Sequence, residues 1–491
     1  MTDDDEIDPT ELEDNRICTS CIGDDYLKAE VERTGDPKAC SYCGKTAKTI
    51  AIGDLADLVD SALEDHYYQT STEPEGVEYL MAKEVGGWDR HGEPITSVIA
   101  EAVKIDDEPA DHVRRVLEER HYDFDAAAAG EENPFDEEAH YEEKSVEDYE
   151  LQEAWLNFQE SLKSESRFFN SDAQSTLDSI FENLAKLRTH DGRSALVDAG
   201  PGREISGLYR ARVFQSREKL EAAVKRPDIE LGPPPSPLAI AGRMNARGIG
   251  VFYGATNANV ALAETRPPVG SKVAVARFEI VRQLRLLDIE VLRSVYVDGS
   301  IFDGDYTRRL EKAKFLRTVS HRITQPVMPD DEPFEYLVTQ AIADYLAAQR
   351  DPALDGIIYP SVQDGGPHKN VVLFHKASRV QPLDIPPGTE ISASLESYDE
   401  DGGYPDYDVH EEVPEQKSAP KETADRGFSV WPFLKSTRRD GQDDSRDPSL
   451  RLDPGAMAVH HVDSVAFKTE AFPVSRRRTE KRATVSKDNE F

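Results

Sequence analysis

The chain has 491 residues, 38% of them hydrophobic and 31% charged, with a formal net charge of −37. Sequence-independent affinity for phosphate backbones comes from Lys and Arg, so a chain this acidic is a poor generic nucleic-acid binder, while a small anion held by a few buried arginines remains allowed. The length suits about two or three domains; the acidic opening is unlike a secretory leader and no run of about 20 apolar residues appears, which together read as a cytoplasmic protein without a membrane span.

Residues 1–14 read as a disordered acidic lead. The next stretch holds all four cysteines, Cys18-Thr-Ser-Cys21 and Cys40-Ser-Tyr-Cys43, with eighteen residues between the pairs. This C-x2-C…C-x2-C spacing fits a tetrahedral zinc site, structural because four thiolates leave no open ligand position. Clustering of the cysteines argues for metal in a reducing compartment over disulfides, with a redox pair or free thiols as the alternative. From Ile50 to Ala82 the steps of Leu55, Leu58, Val59, Ala62 and Leu63 predict a helix, and residues 95–121 a helix pair. Residues 123–149 are dominated by Glu and Asp and read as a linker. Trp155, Phe158 and Leu162, then Leu177, Ile180 and Phe181, resume helical faces, so residues 15–190 read as a mostly helical, zinc-binding domain.

Character changes near Gly207. Strands are predicted at 208–214, 251–253, 272–280, 284–287, 356–359 and 370–374, and helices at 257–264, 306–320 and 333–349. Residues 200–385 thus form an α+β domain. From 386 to 491 the chain is rich in Asp, Gly, Pro and Ser and reads as a largely disordered tail. No internal repeats are found.

The second domain carries a sparse polar set. Arg210, in a short strand, needs an anion if buried, either a ligand phosphate or a structural carboxylate. Arg212, taken to point to the other face, is the weaker candidate. Arg243 follows Gly242, which permits close backbone approach to a ligand, and Asn245 can fix that loop through its own backbone. Tyr253 ends a strand and Glu264 ends a helix; taken singly, one reads as core and the other as surface. Ser361 has no His and acid near it and no G-x-S-x-G elbow, so it is read as a hydrogen-bonding group and not a nucleophile. Asn370 is a supporting candidate behind these. Separately, Arg115 and His121 form an R-x5-H pair of the kind used by HEPN-type ribonucleases, disfavoured by the acidic surroundings.

Order and setting give these residues their meaning. The region from Gly207 to Phe374 resembles the RES domain family, named for its Arg, Glu and Ser, here Arg210, Glu264 and Ser361. Arg243 in the G-R-x-N loop and Tyr253 ahead of Ala261-Leu262-Ala263-Glu264 match two further polar positions, while Ala246 stands where many members have Pro and Val260 where many have Thr. The first half looks like the zinc-containing HEPN/RES N-terminal domain, through its two C-x2-C pairs, Ser41-Tyr42-Cys43-Gly44, Trp155 to Phe158, and Arg167-Phe168-Phe169. The resemblance implies an ADP-ribosyltransferase-like α+β fold and a toxin that consumes NAD by hydrolysis, by phosphorolysis or by transfer of ADP-ribose to a protein, in a toxin–antitoxin or defence setting. It implies that Arg210 and Arg243 hold phosphates and ribose, that Tyr253 stacks on nicotinamide, that Glu264 stabilises the cationic ribose, and that Ser361 orients ribose or amide. An antitoxin and a homodimer are the partners expected. A non-catalytic NAD-sensing or partner-binding protein is the rival outside enzymes.

Overall fold

The computed structural model describes residues 8–414 and 444–478, apart from 75, 77, 81–87, 329, 362, 364, 365, 467 and 468. In its first part Arg16–Cys18 and Asp36–Ala39 flank Thr46–Ala51 in a three-stranded sheet. The sheet packs on helices Ile52–His66, Ile95–Val103 and Asp107–Arg120 around Ile17, Leu55, Val59, Ile99, Val113 and Leu117. Part of the lead belongs to this core. Asp8 caps the short helix Pro9–Leu12, accepting a hydrogen bond from the Thr10 N–H, and Leu12 is fully buried. Residues 1–7 lie outside the described part.

Two other expectations need correction. The first helix stops at His66 and does not run to Ala82 (residues 81–87 lie outside the described part); Tyr67–Gln69 follows it as a strand. Its partner, His140–Glu143, comes from the stretch read as an acidic linker and also pairs with Glu93–Pro94. The period of two explains this: Tyr141 turns inward while its charged neighbours stay nearer solvent, so acidic composition hides a half-buried strand.

The second part is built on a nine-stranded mixed sheet. In chain order its strands are β1 (Leu196–Ala199), β2 (Gly207–Phe214), β3 (Phe252–Ala255), β4 (Lys272–Ile280), β5 (Leu284–Asp288), β6 (Gly356–Pro360), β7 (Lys369–Leu373), β8 (Val380–Gln381) and β9 (Leu450–His461). Across the sheet they run β8-β9-β4-β2-β3-β7-β6-β5-β1, with only β5–β6 and β8–β9 parallel. Five helices frame it on the side of the site: α1 (Tyr149–Glu160), α2 (Ser171–Phe181), α3 (Ala258–Glu264), α4 (Tyr306–Thr324) and α5 (Glu332–Ala348). Although α1 and α2 precede the sheet, Trp155, Phe158, Leu177 and Phe181 share one core with Phe315, Leu316 and Val319 of α4, Ile342 and Leu346 of α5, and Ile357 of β6. Trp155 is fully buried, its ring meeting Phe315 edge-on at 6.0 Å.

The tail expected to be largely disordered from residue 386 is ordered in two places. Glu390–Asp399 and Gly402–Glu412 form a hairpin, and β9 pairs with β4 along its whole length, from Lys272–His461 to Ile280–Leu450. This stretch contains Pro454 and Gly455. They fall at a bulge, where Ala276 pairs with Met457 and the adjacent Arg277 with Asp453, so the prolyl nitrogen is never asked to donate to the ladder. Leu450 is fully buried in the core beneath the sheet. Leu450→Ala should therefore cost about 2–5 kcal/mol in urea denaturation, as for a buried leucine; a dispensable tail would lose almost nothing.

Candidate active site

A seam in the sheet opens a cavity. β2 pairs with β4 over eight residues, but only the pair Tyr209–Ala255 joins β2 to β3. Beyond it the strands diverge, and the carbonyl of Tyr253 takes a hydrogen bond from Arg210 Nη1 at 3.3 Å. Gly254 allows the close approach at the seam: a Cβ there would stand 2.8 Å from the Phe252 ring and 3.1 Å from Leu208 Cβ. Register then places Tyr209, Ala255, Asn370 and Tyr359 side by side across β2, β3, β7 and β6. All four line a cavity of about 440 Å³, within the range of small-ligand sites. Ala255 is the small member of the row and leaves a hollow beside α3.

Arg210, Arg243, Tyr253, Glu264 and Asn370 are brought together around this cavity. Arg210 lies 4.9 Å above the Phe252 ring; burial, with nearby Arg212, pushes its guanidinium down to about 10, so it remains cationic at neutral pH. Arg212, two residues along, in fact shares that strand face; what sets it apart is its attachment to the carbonyl and carboxylate of Glu230, away from the cavity. Arg243 reaches the end of α4, where Nη1 donates to Ile323 O at 3.0 Å and Nη2 to Gln325 O at 2.7 Å. A cation suits these helix C-terminal carbonyls.

The loop carrying Arg243 is fixed from several sides. Asn245 Nδ2 donates to the carbonyls of Ile240, Ala246 and Ile249, as expected of a loop-fixing Asn. Tyr253 Oη donates to Asn245 Oδ1 at 2.8 Å and accepts from Met244 N at 2.9 Å; burial pushes this phenol up to about 12. Thr339 and Gln340 of α5 donate to the carbonyls of Arg243 and Gly242.

Glu264 is held by two donors. Ser361 Oγ donates to Oε1 at 2.6 Å and Asn370 Nδ2 to the same oxygen at 2.8 Å. Ser361 is buried, accepts from Gln363 N, and is not among the residues facing the cavity. Its single hydroxyl hydrogen is directed at Glu264.

Several cavity residues escaped the sequence reading. Tyr359 stands beside Pro360-Ser361, but only strand register shows that it faces the cavity, where burial pushes its phenol well above the ordinary value. Tyr336, hydrogen-bonded to Glu332 at 2.9 Å, looked like one more helical core residue. Arg266 follows Glu264 closely, and nothing in the residue string marks it. Among the described residues, Arg210, Arg243 and Arg266 pair with no carboxylate, although Asp and Glu outnumber Lys and Arg 95 to 58 in the chain.

Elsewhere, the Sγ atoms of Cys18, Cys21, Cys40 and Cys43 all lie within 4.8 Å of one another and could hold a metal ion. Cys21 N returns to Cys18 O and Gly44 N to Cys40 O, the latter with Gly44 at φ 71°, so each pair forms a tight knuckle. Arg115 lies on the helix Asp107–Arg120, and His121 at its end is bound to Asp60 at 2.9 Å, its ring tilted against Phe135 at 4.9 Å. No helix among the described residues is long and apolar enough to cross a membrane.

Residues 208–395 match the family model described as RES domain, and residues 33–176 the one described as HEPN/RES N-terminal domain 1. No curated protein and no solved structure matches the chain. Gly242→Ala tests how tightly the Arg243 loop is built: the new Cβ would lie 2.7 Å from Asn245 Oδ1 and 2.8 Å from Tyr253 Oη. Overpacking of this kind should cost about 1–3 kcal/mol by chemical denaturation; unchanged stability would mean that the loop yields freely.

Proposed function

Because the chain carries a RES domain behind a HEPN/RES N-terminal domain, we propose that it cleaves the nicotinamide–ribose bond of NAD. The observation that carries this reading is Glu264, oriented by Ser361 and Asn370 in a cavity whose arginines lack carboxylate partners among the described residues. Cations whose charge no carboxylate offsets suit the pyrophosphate of a dinucleotide. A fixed carboxylate suits the positive charge that develops on ribose as the C1′–N bond breaks and its electron pair leaves with nicotinamide. Arg210 and Arg243 hold the phosphates and ribose. The Tyr253 ring offers a stacking face, its hydroxyl being occupied by the loop. Ser361 and Asn370 keep the carboxylate aimed. Water, phosphate or a protein side chain then attacks C1′, the incoming group losing its proton to solvent. An ADP-ribosyltransferase-like ancestry for the sheet, a toxin–antitoxin or defence setting, an antitoxin and a homodimer belong to the same proposal. The ribonuclease reading gains no support, since His121 is engaged by Asp60.

The test is release of nicotinamide from NAD by the purified chain, with and without phosphate. Glu264→Gln should lower the rate by about 10²–10³, as for loss of one preorganised electrostatic contact, and Arg210→Ala should abolish release with the fold intact by circular dichroism. Full activity in both variants would reject the assignment.

We also infer zinc at the four cysteines. Zn–S bonds of about 2.3 Å in a tetrahedron put sulfurs about 3.8 Å apart. Cys18 Sγ stands 3.7 Å from Cys21 Sγ and 3.5 Å from Cys43 Sγ, and Cys21 Sγ 4.0 Å from Cys40 Sγ. A closed shell of four thiolates contributes folding energy and no chemistry. A strong chelator added to the full chain should expose the cysteine module and the helices packed on it to limited proteolysis, leaving the nine-stranded sheet protected. Proteolysis indifferent to chelation would exclude a structural metal.

A further inference from the structure

Arg266 occupies a backbone position that costs free energy. α3 ends at Glu264; Thr265 N returns to Leu262 O and Arg266 N to Ala263 O, with Arg266 at φ 44°. This left-handed position just past a helix end is where glycine is preferred, because a side chain is strained there. The helix Phe124–Ala129 ends in the preferred way, with Gly130 at φ 78°. Four non-glycine residues have positive φ among the described residues, and Arg266 is the one that lines the cavity.

The residue at this position carries an exposed guanidinium. Arg210 spends a donor on Tyr253 O, and Arg243 spends one from each terminal nitrogen on Ile323 O and Gln325 O. The Arg266 side chain makes no hydrogen bond, ion pair or ring contact among the described residues, so its five N–H donors are all available for a two-pronged grip on an oxyanion. Pro267 and Pro268 stiffen the next stretch of chain. We propose that Arg266 is a specificity-determining residue that binds the phosphorylated part of the substrate and so selects dinucleotides over unphosphorylated nucleosides. This rests on the NAD reading above.

Arg266→Gly separates a role in binding from a role in folding, because glycine suits the backbone better. The variant should melt at the same temperature as the wild type or higher. Its KM for NAD should rise about tenfold to a hundredfold, the worth of a hydrogen bond to a charged group, with kcat nearly unchanged. Cleavage of nicotinamide riboside, which lacks phosphates, should be equal in the two proteins. Calorimetric titration with ADP-ribose gives a second readout that needs no turnover, and the variant should bind it weaker by the same factor. A lowered melting temperature, an unchanged KM and ADP-ribose affinity, or an equal loss toward the riboside would each overturn the role of Arg266. Absence of nicotinamide release by the wild type would instead overturn the NAD reading, with ADP-ribose affinity still reporting on Arg266.

Discussion

The divergence of β2 from β3 is the constraint on which the site depends. A sheet paired fully at this place would close the space that Arg210 occupies. Instead one residue pair holds the strands together, and the guanidinium takes a carbonyl that the ladder would otherwise have used. The arrangement is sustained from outside. Tyr253 fixes the Asn245 loop on one side of the seam, and α3 brings Glu264 down on the row of Tyr209, Ala255, Asn370 and Tyr359. Burying a cation without a carboxylate is unfavourable to the empty fold; it becomes favourable when an anion arrives. Stability is thus given up in the place where binding recovers it.

Support for the cavity comes partly from the first family segment. Trp155 packs on Phe315 and lies 5.9 Å below the Arg322 guanidinium, both on α4. The same helix ends in the carbonyls that anchor Arg243. The residues matched as HEPN/RES N-terminal domain 1, 33–176, therefore fall in two cores: the helices Ile52–His66, Ile95–Val103 and Asp107–Arg120 in one, α1 and the start of α2 in the core of the sheet domain. A family boundary drawn along the chain does not coincide with the boundary between packed units.

Much of this was legible in the residues. The strand expected at 272–280 is β4 at its full extent, Asn257 marked the start of α3, and the four cysteines found one another by spacing alone. The polar set was readable as a set through its order in the chain. What escaped was whatever depends on a partner distant in sequence. The inward turn of Tyr359 is a matter of register with Asn370, the hydroxyl of Ser361 could be assigned only once Glu264 stood beside it, and the strain at Arg266 is a dihedral angle with no signature in composition. β9 was missed for a related reason: its Pro454 contradicts a strand until the bulge opposite Ala276 and Arg277 is seen.

That strand also bears on how the molecule comes into being. β4 lies between β2, which carries Arg210, and β9, which lies far along the chain, so Lys272 waits for His461 before its outer edge is covered. Pairings so distant in sequence form late, because the intervening loop must be closed first. A chain emerging from the ribosome would therefore carry Arg210 on a sheet whose outer edge stays open until synthesis has passed residue 461, although the residues that line the cavity end at Asn370. The order of the polypeptide thus separates completion of the cavity's lining from completion of the sheet that supports it.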